Sequence, residues 1–506
     1  MPESPNGHQP TPDIAVDVLI VGAGFSGLCM GIKLLEAGMK DFLIIEKSDD
    51  IGGTWYDNRY PGCACDVPSH LYSFSFERNP GWTRMFASQP EIYRYLKSVV
   101  ERYGLGPYVR LNTRFHEAAW DEMAGRWRIC VTSGGQNKEI SARVLVSGMG
   151  ALHVPHYPEI PGIDRFAGPA FHSATWRSDV DLSGKTVAVV GTGASAIQFI
   201  PQIAPHTGKL YVFQRTAPWI VPRRDFGISE KWRERFRRLP ALTWALRTAL
   251  FFSLEWRVLS FLGDRVVREH LARIGRDHLN ASIRDPQLRA ALTPKYEIGC
   301  KRILLSDDFY PAMNRPHVEL VTERIAEVRE HSIVTQDAVE RPVDVLIYGT
   351  GFHVTTQFIG MHVVGRGGVD IHDAWRNGMS AYLGVTVSGF PNFFILLGPN
   401  TGLGHNSVVL MIEAQVHYVM ECLKLMRGKN LAVMEVRREA QKHFADNVRD
   451  RMSRTVWQSG GCRSWYQDTE TGENTTLWPG SVIEYIRATR SVSLAEYNLK
   501  PSATAP

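Results

Sequence analysis

At 506 residues, 44% of them hydrophobic and 22% charged, the chain has the length of two to four domains and the composition of a folded globular protein. Lys and Arg outnumber Asp and Glu by 57 to 52, and this small excess favours an anionic cofactor over a nucleic-acid surface. Seven scattered cysteines predict no disulfide framework and indicate a reducing compartment, the cytoplasm, and no zinc-type ligand spacing predicts a metal.

The first elements along the chain predict a dinucleotide-binding turn. Residues 1–14 are polar and rich in Pro, so we expect a disordered tail and no signal peptide. The stretch DVLIVGAGFSG then reads as a strand that runs into Gly22-x-Gly24-x-x-Gly27, followed by a helical pattern, LCMGIKLLEAG. In such a turn the glycines permit a tight bend, a close approach of the backbone to pyrophosphate, and close packing of helix on strand.

The end of the next strand, FLIIEK, indicates which nucleotide this first unit holds. Glu46 lies there, 24 residues after Gly22. A carboxylate at this position accepts hydrogen bonds from the ribose hydroxyls and repels a 2′-phosphate. The first unit should therefore hold FAD or NAD.

Residues 67–143 predict an excursion within the first unit, with a helix in PEIYRYLKSVVERYGL and a strand in RWRICV. Two further apolar strands run into glycine turns, VLVSGMG at 144–150 and DVLIYGTGF at 344–352. Such turns are expected where the chain crosses between two nucleotide domains.

A second dinucleotide unit begins at KTVAVVGTGASA, with Gly191-x-Gly193-x-x-Ala196 and the helical pattern IQFIPQIA. In LYVFQR, Arg215 lies 24 residues after Gly191. A guanidinium there suits the 2′-phosphate of NADP. Glu46 and Arg215 could each be an ordinary surface charge at a strand end. Two turns with opposite and complementary charges at the same offset make such a chance match the weaker interpretation.

The most apolar segment, Leu239–Gly263, is interrupted by Arg247, Glu255 and Arg257, and its longest uncharged run is eight residues. A spanning helix needs about 20 residues, so the segment predicts one or two amphipathic helices and no transmembrane segment. Basic residues before it leave an interfacial membrane contact open. A helical subdomain that covers the substrate is the favoured interpretation.

Several longer motifs resemble the type I Baeyer–Villiger monooxygenases, single-chain flavoproteins that carry FAD and use NADPH and O₂. They are GGTWYDNRYPG (52–62), CDVPSHLYSFSF (65–76), the linker FAGPAFHSATW (166–176) and YLGVTVSGFPNFFILLGPNTGLGHNS near the C-terminus. The linker fits F-x-G-x-x-x-H-x-x-x-W, whose last Trp is lacking in the related N- and S-oxygenating enzymes. Arg177, where Pro or Asp is usual, and Asp57, where many members have an aromatic residue, depart from the pattern and leave the substrate range open.

The resemblance implies an α/β fold of two Rossmann-like domains, for FAD and NADP, with a helical insertion. The expected limits are 15–150 and 345–506 for the FAD domain, 151–224 and 300–344 for the NADP domain with its linker 166–177, and 225–299 for the insertion. The implied reaction converts a ketone to an ester or lactone through a flavin C4a-peroxide. An N- or S-oxygenating flavin monooxygenase acting on amines or thioethers is the alternative.

The resemblance also assigns roles to residues outside the two turns. Arg302 in GCKRILLSDD aligns with the family's active-site arginine, and Asp66 resembles the carboxylate that orients it. A guanidinium cannot lose its charge in a protein, so Arg302 could stabilise both a peroxyanion and a later oxyanion. Lys301 and Thr216 would join Arg215 on the 2′-phosphate. The structural alternatives are a surface Arg and a turn Asp before Pro68.

Two further positions are expected to act through conformation. His172 and Trp176 lie on the linker between the two halves and would anchor alternative linker positions, with His172 acting as neither acid nor base. Trp465 in GCRSWYQD resembles a mobile Trp that closes over the nicotinamide, although core packing explains it almost as well. The remaining expected cofactor contacts are Phe25, Ser26, Lys47, Gly53, Thr54, Trp55, Tyr72, Thr192, Ala194 and Ser195.

Two other functions also pair an FAD unit with an NADP unit. A disulfide reductase also pairs FAD and NADP domains, but here Trp55 follows the GGT turn and the Cys63-x-Cys65 pair has the wrong spacing for a reactive thiol. A redox sensor that binds both cofactors without turnover is open on motifs alone. The substrate pocket is expected to draw on residues 225–300 and on the loop near Thr401–Ser407.

Overall fold

The computed structural model describes residues 12–355 and 358–502. Over this part of the chain the strands, in order, are β1 (Ile14–Val21), β2 (Phe42–Ile45), β3 (Val109–Arg110), β4 (Thr113–Asp121), β5 (Arg126–Ser133), β6 (Gln136–Ser147), β7 (Ala170–His172), β8 (Thr186–Val190), β9 (Lys209–Phe213), β10 (Ile220–Val221), β11 (Leu304–Leu305), β12 (Val318–Val321), β13 (Ile325–Val328), β14 (Ser332–Thr335), β15 (Glu340–Pro342), β16 (Val345–Tyr348), β17 (His362–Val364), β18 (Phe393–Ile395), β19 (Leu431–Val436) and β20 (Tyr497–Pro501).

The α-helices of the same residues, in order, are α1 (Phe25–Glu36), α2 (Thr54–Asp57), α3 (Gln89–Arg102), α4 (Ala196–Ile203), α5 (Glu230–Arg238), α6 (Pro240–Glu255), α7 (Val258–Phe261), α8 (Arg265–Ser282), α9 (Pro286–Ala291), α10 (Phe309–Met313), α11 (Ile371–Ala374), α12 (Val408–Gly428), α13 (Arg438–Ser453), α14 (Val456–Ser459) and α15 (Val482–Ala488). No helix among the described residues is long and apolar enough to cross a membrane.

The first sheet has the strand order β17-β4-β5-β6-β1-β2-β3, and β18 also pairs with β6. Its central strand β1 is parallel to both neighbours, whereas β4, β5 and β6 form the antiparallel excursion. Successive β1 residues face opposite sides, so Val18 and Ile20 enter one core cluster and Leu19 and Val21 another. The first cluster includes residues of α1, and the second includes residues of β4 and β5, so both faces of β1 are buried.

The second sheet, β12-β9-β8-β16-β7, is entirely parallel. With the first sheet it confirms the expected α/β fold with two Rossmann-like units, and α5–α9 form the expected helical insertion. The helix expected in PEIYRYLKSVVERYGL is α3, and the strand expected in RWRICV is β5.

The structure moves two of the expected boundaries. Strand β16, at Val345–Tyr348, was assigned with the FAD domain but pairs with β7 and β8 in the second sheet. Its apolar side chains complete that sheet's core, so the crossing back to the first unit comes after it. The tail expected over 1–14 lies outside the described residues as far as residue 11, and Ile14 already begins β1.

Candidate functional site

A cavity of about 1570 Å³ lies at the carboxyl ends of the parallel strands β1 and β8 and is lined by both glycine turns. Ligands bind at this end of open α/β sheets, where successive connections leave in opposite directions. All of the residues expected to bind cofactor or catalyse line the cavity except Gly27, Ala196, His172 and Trp176. The residues that line it are Gly22, Gly24, Phe25, Ser26, Glu46, Lys47, Gly53, Thr54, Trp55, Asp66, Tyr72, Gly191, Thr192, Gly193, Ala194, Ser195, Arg215, Thr216, Lys301, Arg302 and Trp465.

The first turn needs its glycines for three different reasons. Gly22 has φ of +101°, and a Cβ there would lie 2.8 Å from the carbonyl oxygen of Gly148. A Cβ on Gly27 would lie 1.9 Å from the oxygen of Gly22, so this glycine packs α1 onto the turn and does not reach the cavity. Gly24 leaves open the space in front of the N-terminus of α1. The turn is thus a cradle that a side chain would fill, as a pyrophosphate site requires.

Glu46 is buried, with 6% of its surface exposed, and is not an ordinary surface charge at a strand end. Its Oε2 accepts a hydrogen bond from the backbone N–H of Ala23 at 2.8 Å, and its Oε1 accepts one from Ser48 at 3.0 Å. These bonds fix the carboxylate beside the turn, where it lines the cavity. A carboxylate that accepts hydrogen bonds here fits the ribose hydroxyls of a dinucleotide without a 2′-phosphate, as in FAD.

The second turn repeats the first one. Gly191 has φ of +105°, and a Cβ there would lie 2.5 Å from the carbonyl oxygen of Gly349. The glycine turns at 144–150 and 344–352 therefore do more than carry the chain between domains. The carbonyl of Gly148 lies close to Gly22, the first glycine of the first turn, and the carbonyl of Gly349 lies close to Gly191, the first glycine of the second turn. Ala196 faces Gly349 in the same packed contact, which is why it lies away from the cavity.

Arg215 and Lys301, from segments far apart in sequence, line the cavity next to this second turn. Burial, and in second place the positive charge of Arg215, lower the pKa of Lys301 below its ordinary value. Two cations that repel one another in a partly buried site would be relieved by an anion. Together with the exposed Thr216, they fit the 2′-phosphate of NADP.

Arg302 and Asp66 form an ion pair within the cavity. Arg302 Nε lies 2.8 Å and one terminal nitrogen 2.6 Å from the same oxygen, Asp66 Oδ2. The carboxylate raises the pKa of Arg302 further above its ordinary value, so the guanidinium is a permanent cation. Both contacts use the same carboxylate oxygen. The other terminal nitrogen of Arg302 makes no bond to Asp66.

The two cysteines of the CxC pair are free thiols. Burial raises the pKa of Cys63 to about 12, and it raises the pKa of Cys65 as well. Both therefore stay protonated at neutral pH, whereas thiol–disulfide exchange needs a thiolate. The geometry gives no support to a dithiol reductase.

His172 and Trp176 lie in the linker and outside the cavity lining. His172 ends β7, is fully buried, and accepts a hydrogen bond from the N–H of Ala174 through Nδ1 at 3.1 Å. Burial lowers its pKa to about 4, so it is neutral near pH 7. The ring of Trp176 packs against Phe171 and Phe199, with centroids 5.3 and 5.4 Å away. Both residues thus join the linker to the second sheet and to α4.

The departure from the linker pattern at Arg177 is a local one. Its guanidinium pairs with Asp179 two residues further on, and both side chains are exposed. This pair lies on the surface of the linker and does not line the cavity. Asp57, the other departure, does line the cavity, and burial raises its pKa.

The C-terminal Trp465 lies at the cavity with 44% of its surface exposed, which is not the burial expected of core packing. Its ring centroid is 4.2 Å from that of the buried Tyr466. Cys462, three residues earlier, forms a disulfide with Cys300, beside Lys301 and Arg302. The cysteine spacing had predicted no pairing. Pairing of residues 162 positions apart depends on the tertiary fold, which brings this loop next to the arginine segment.

Sequence reasoning missed Gln198 on α4. Its side-chain oxygen accepts a hydrogen bond from the hydroxyl of Tyr60 at 2.9 Å, and its amide nitrogen donates to the carbonyl of Ala64 at 3.0 Å. It thereby ties the second nucleotide unit to the segment that carries Asp66. A glutamine within a helix gives no sequence signal for such a role.

The prediction that residues 225–300 and the loop near Thr401–Ser407 line the substrate pocket is only partly correct. The loop near Thr401–Ser407 lines the cavity through Gly402, Leu403 and Asn406. From the region 225–300, however, Tyr296 alone among the described residues does so, and none of α5–α9 takes part. The cavity lining therefore gives no support to a helical subdomain that covers the substrate.

Comparison with known proteins gives one family. The family model described as flavin-binding monooxygenase-like matches residues 15–366. A Baeyer–Villiger monooxygenase of Pseudomonas aeruginosa is 47% identical over 493 residues, which are 97% of this chain and 93% of that protein.

Solved structures agree over almost the whole chain. Cyclohexanone monooxygenase from Rhodococcus sp. Phi1, bound to NADP⁺, matches with a TM-score of 0.88 and 28% identity, over 97% of this chain and all of that one. The protein OTEMO, in complex with FAD and NADP, matches with a TM-score of 0.86 and 30% identity over the same shares. The two cofactors of that complex are those for which the two turns of this chain are built.

Proposed function

The chain belongs to the flavin-binding monooxygenase-like family, and from this premise we propose that it is a Baeyer–Villiger monooxygenase, an FAD-containing enzyme that uses NADPH and O₂ to convert a ketone into an ester or lactone. The observation that carries the proposal is the cation Arg302, held by Asp66 in a cavity that two dinucleotide turns share. The cofactors are FAD and NADPH.

When bound, FAD reduced by NADPH supplies the chemistry that transfers one oxygen atom of O₂ to the ketone. Residues for both nucleotides line one cavity: Gly22, Gly24 and Glu46 would hold the first, and Gly191, Arg215 and Lys301 would hold the second. Arg302 lines the same cavity.

Arg302 stabilises negative charge on the reacting oxygen. Asp66 engages Nε and one terminal nitrogen and so orients the guanidinium, which leaves its remaining N–H groups for an oxyanion. A donor fixed in advance costs no reorganisation when the charge develops. Because the guanidinium cannot release its proton, the charge is present at every working pH.

His172, Trp176 and Trp465 position the cofactor without transferring protons. The neutral, buried His172 links β7 to the turn at 349–352 through its ring contact with Phe352, 5.6 Å between centroids. Trp465 is exposed at the cavity and free to cover the nicotinamide and exclude water. The need for NADPH supports a cytoplasmic location, whereas the Cys300–Cys462 disulfide is of a kind that is rare in that reducing compartment.

The competing function is oxygenation of an amine or thioether by the same cofactors. The permanent cation favours a ketone, because an oxyanion forms when a carbonyl is attacked and no such charge forms on a sulfur or amine acceptor. The relatives named above also favour the ketone reaction.

The test is aerobic turnover of a probe that carries both a ketone and a thioether, with NADPH and with products identified by mass spectrometry. We expect the ester or lactone, with one product formed per NADPH. Sulfoxide as the sole product would overturn the assignment in favour of the heteroatom oxygenase, and NADPH-independent flavin chemistry would overturn both. The variant Arg302→Ala serves as the control for background oxidation.

A further inference from the structure

The helix α6 of the insertion turns its charged side chains inward. Arg247 and Glu255 are only 7% and 6% exposed. A terminal nitrogen of Arg247 donates to the carbonyls of His70, Leu71 and Ser73 at 2.9 to 3.1 Å. Glu255 accepts from the side chain of Asn406 at 2.8 Å and from the N–H of Ile483 at 3.1 Å. Both charges are thus used inside the protein.

The outward side of α6 carries no charge. The exposed residues of the helix are all uncharged: Pro240, Ala241, Trp244, Ala245, Ala249, Phe252 and Ser253. Trp244 and Phe252 are 60% and 56% exposed. A helix on the surface of a globular protein normally shows the opposite arrangement, with polar residues outward. The sequence pattern predicts an amphipathic helix and leaves an interfacial membrane contact open.

The apolar surface continues into the elements around α6, which include α5, packed against it. Leu239 and Trp256, directly before and after α6, are 59% and 53% exposed. We call these residues, with Trp232, Trp244, Phe252 and Leu259, the outer face of the insertion. Six large apolar side chains exposed on adjacent segments of the chain are characteristic of an interaction site. The cavity does not explain it, because none of α5–α9 lines the cavity.

The insertion also carries the whole net charge of the chain. Residues 230–282 contain 11 Lys and Arg against six Asp and Glu, which leaves 46 of each sign for the rest. Lys231, Arg235 and Arg265 are exposed, and the guanidinium of Arg235 lies 4.8 Å from the ring centroid of Trp232. Exposed Trp next to Arg and Lys is the composition that favours the boundary between lipid headgroups and acyl chains.

We propose that the outer face of the insertion docks on an anionic lipid bilayer, with α6 in the plane of the interface. At 16 residues α6 is too short to span a bilayer, but an apolar side flanked by cations suits its surface. A second copy of the chain is the competing occupant. A symmetric contact would bring together two insertions that each have a net positive charge, which is unfavourable, whereas anionic headgroups complement that charge.

The test uses the FAD-loaded enzyme and vesicles of phosphatidylcholine, alone or in equal parts with phosphatidylglycerol. We expect co-sedimentation with the mixed vesicles, weakened by salt, and much less with phosphatidylcholine alone. The double variant W244S/F252S should bind about 100-fold more weakly, since each buried aromatic side chain contributes about tenfold. The variant K231E/R235E should lose the preference for the anionic lipid.

A matched control replaces exposed apolar residues elsewhere. Met123 and Ile486 are 97% and 42% exposed, and M123S/I486S should bind vesicles as the unchanged protein does. All variants should keep their flavin and oxidise NADPH with a water-soluble ketone at the normal rate, which shows that they are folded. Failure of the unchanged protein to bind anionic vesicles overturns the proposal. The proposal is also overturned if sedimentation equilibrium shows a dimer that the W244S/F252S change dissociates, while vesicle binding is the same with and without that change.

Discussion

Replacement of Arg302 by Ala should separate the two halves of the reaction. The side chain is 27% exposed at the cavity and contacts Asp66 through Nε and one terminal nitrogen. Its remaining donors are the ones that can stabilise an oxyanion. The change removes those donors, while the glycine turns, Glu46, Arg215 and Lys301 keep both nucleotides bound. Reduction of the bound flavin by NADPH should therefore stay fast, and formation of the ester should fail.

The size of the loss follows from the geometry. Removal of one oxyanion donor fixed in advance costs about 10²–10³ in rate, or about 3–4 kcal/mol. The stability cost should be small, about 1 kcal/mol, because Asp66 is 28% exposed and water can solvate it. Arg302→Lys should fall between Ala and the natural residue, because an ammonium can pair with Asp66 but lacks the fork that leaves further donors free.

Rapid-mixing absorbance at the flavin band measures the two steps separately, first without oxygen and then in air with substrate. A fall in the anaerobic reduction rate of Arg302→Ala as large as the fall in product formation would refute the reasoning. It would place Arg302 in nicotinamide binding. Arg451 provides a matched control, since it pairs with Glu484 at 2.6 and 2.8 Å, is 29% exposed and lies outside the cavity lining. Arg451→Ala should lower thermal stability and leave both rates unchanged.

Two further predictions concern the second nucleotide and the pH dependence of stability. Arg215→Ala and Lys301→Ala should each raise KM for NADPH about 10- to 100-fold, the range for a lost charge-assisted hydrogen bond. KM for NADH should stay unchanged, because NADH has no 2′-phosphate. Equal effects on the two cofactors would remove the assignment of these residues to the 2′-phosphate. Burial lowers the pKa of both His70 and His172 from 6.5 to about 4. The unfolded chain binds more protons than the folded one between these values, so the free energy of unfolding should fall as the pH drops from about 6.5 towards 4. Thermal midpoints of unfolding at pH 7 and pH 5 test this. We expect a smaller difference between the two midpoints in His70→Leu than in the natural protein. Equal midpoints in the natural protein would contradict the prediction.

The sequence alone determined the features that depend on neighbouring residues. Each nucleotide turn is a strand, a glycine with positive φ and a helix in direct succession, so Gly22 and Gly191 are visible as a local pattern. The charges at Glu46 and Arg215 follow at a fixed offset because each lies just beyond the strand next to its turn. Local geometry sets these spacings. The roles of Arg302 and Asp66 were predicted in a different way, from the resemblance of their motifs to those of a known family.

Only the tertiary structure decided the features that join distant segments. Gly148 and Gly349 press on the two turns, Gln198 ties α4 to the segment with Asp66, and Cys300 meets Cys462. The clearest case is α6, whose spacing predicts an amphipathic helix but does not predict which of its sides is buried. Arg247 and Glu255 find their partners in the carbonyls of 70–73 and in Asn406 and Ile483, so they turn inward and leave Trp244 and Phe252 outside. Periodicity shows that a helix has two faces, but which face is buried depends on the groups that the rest of the fold places against it.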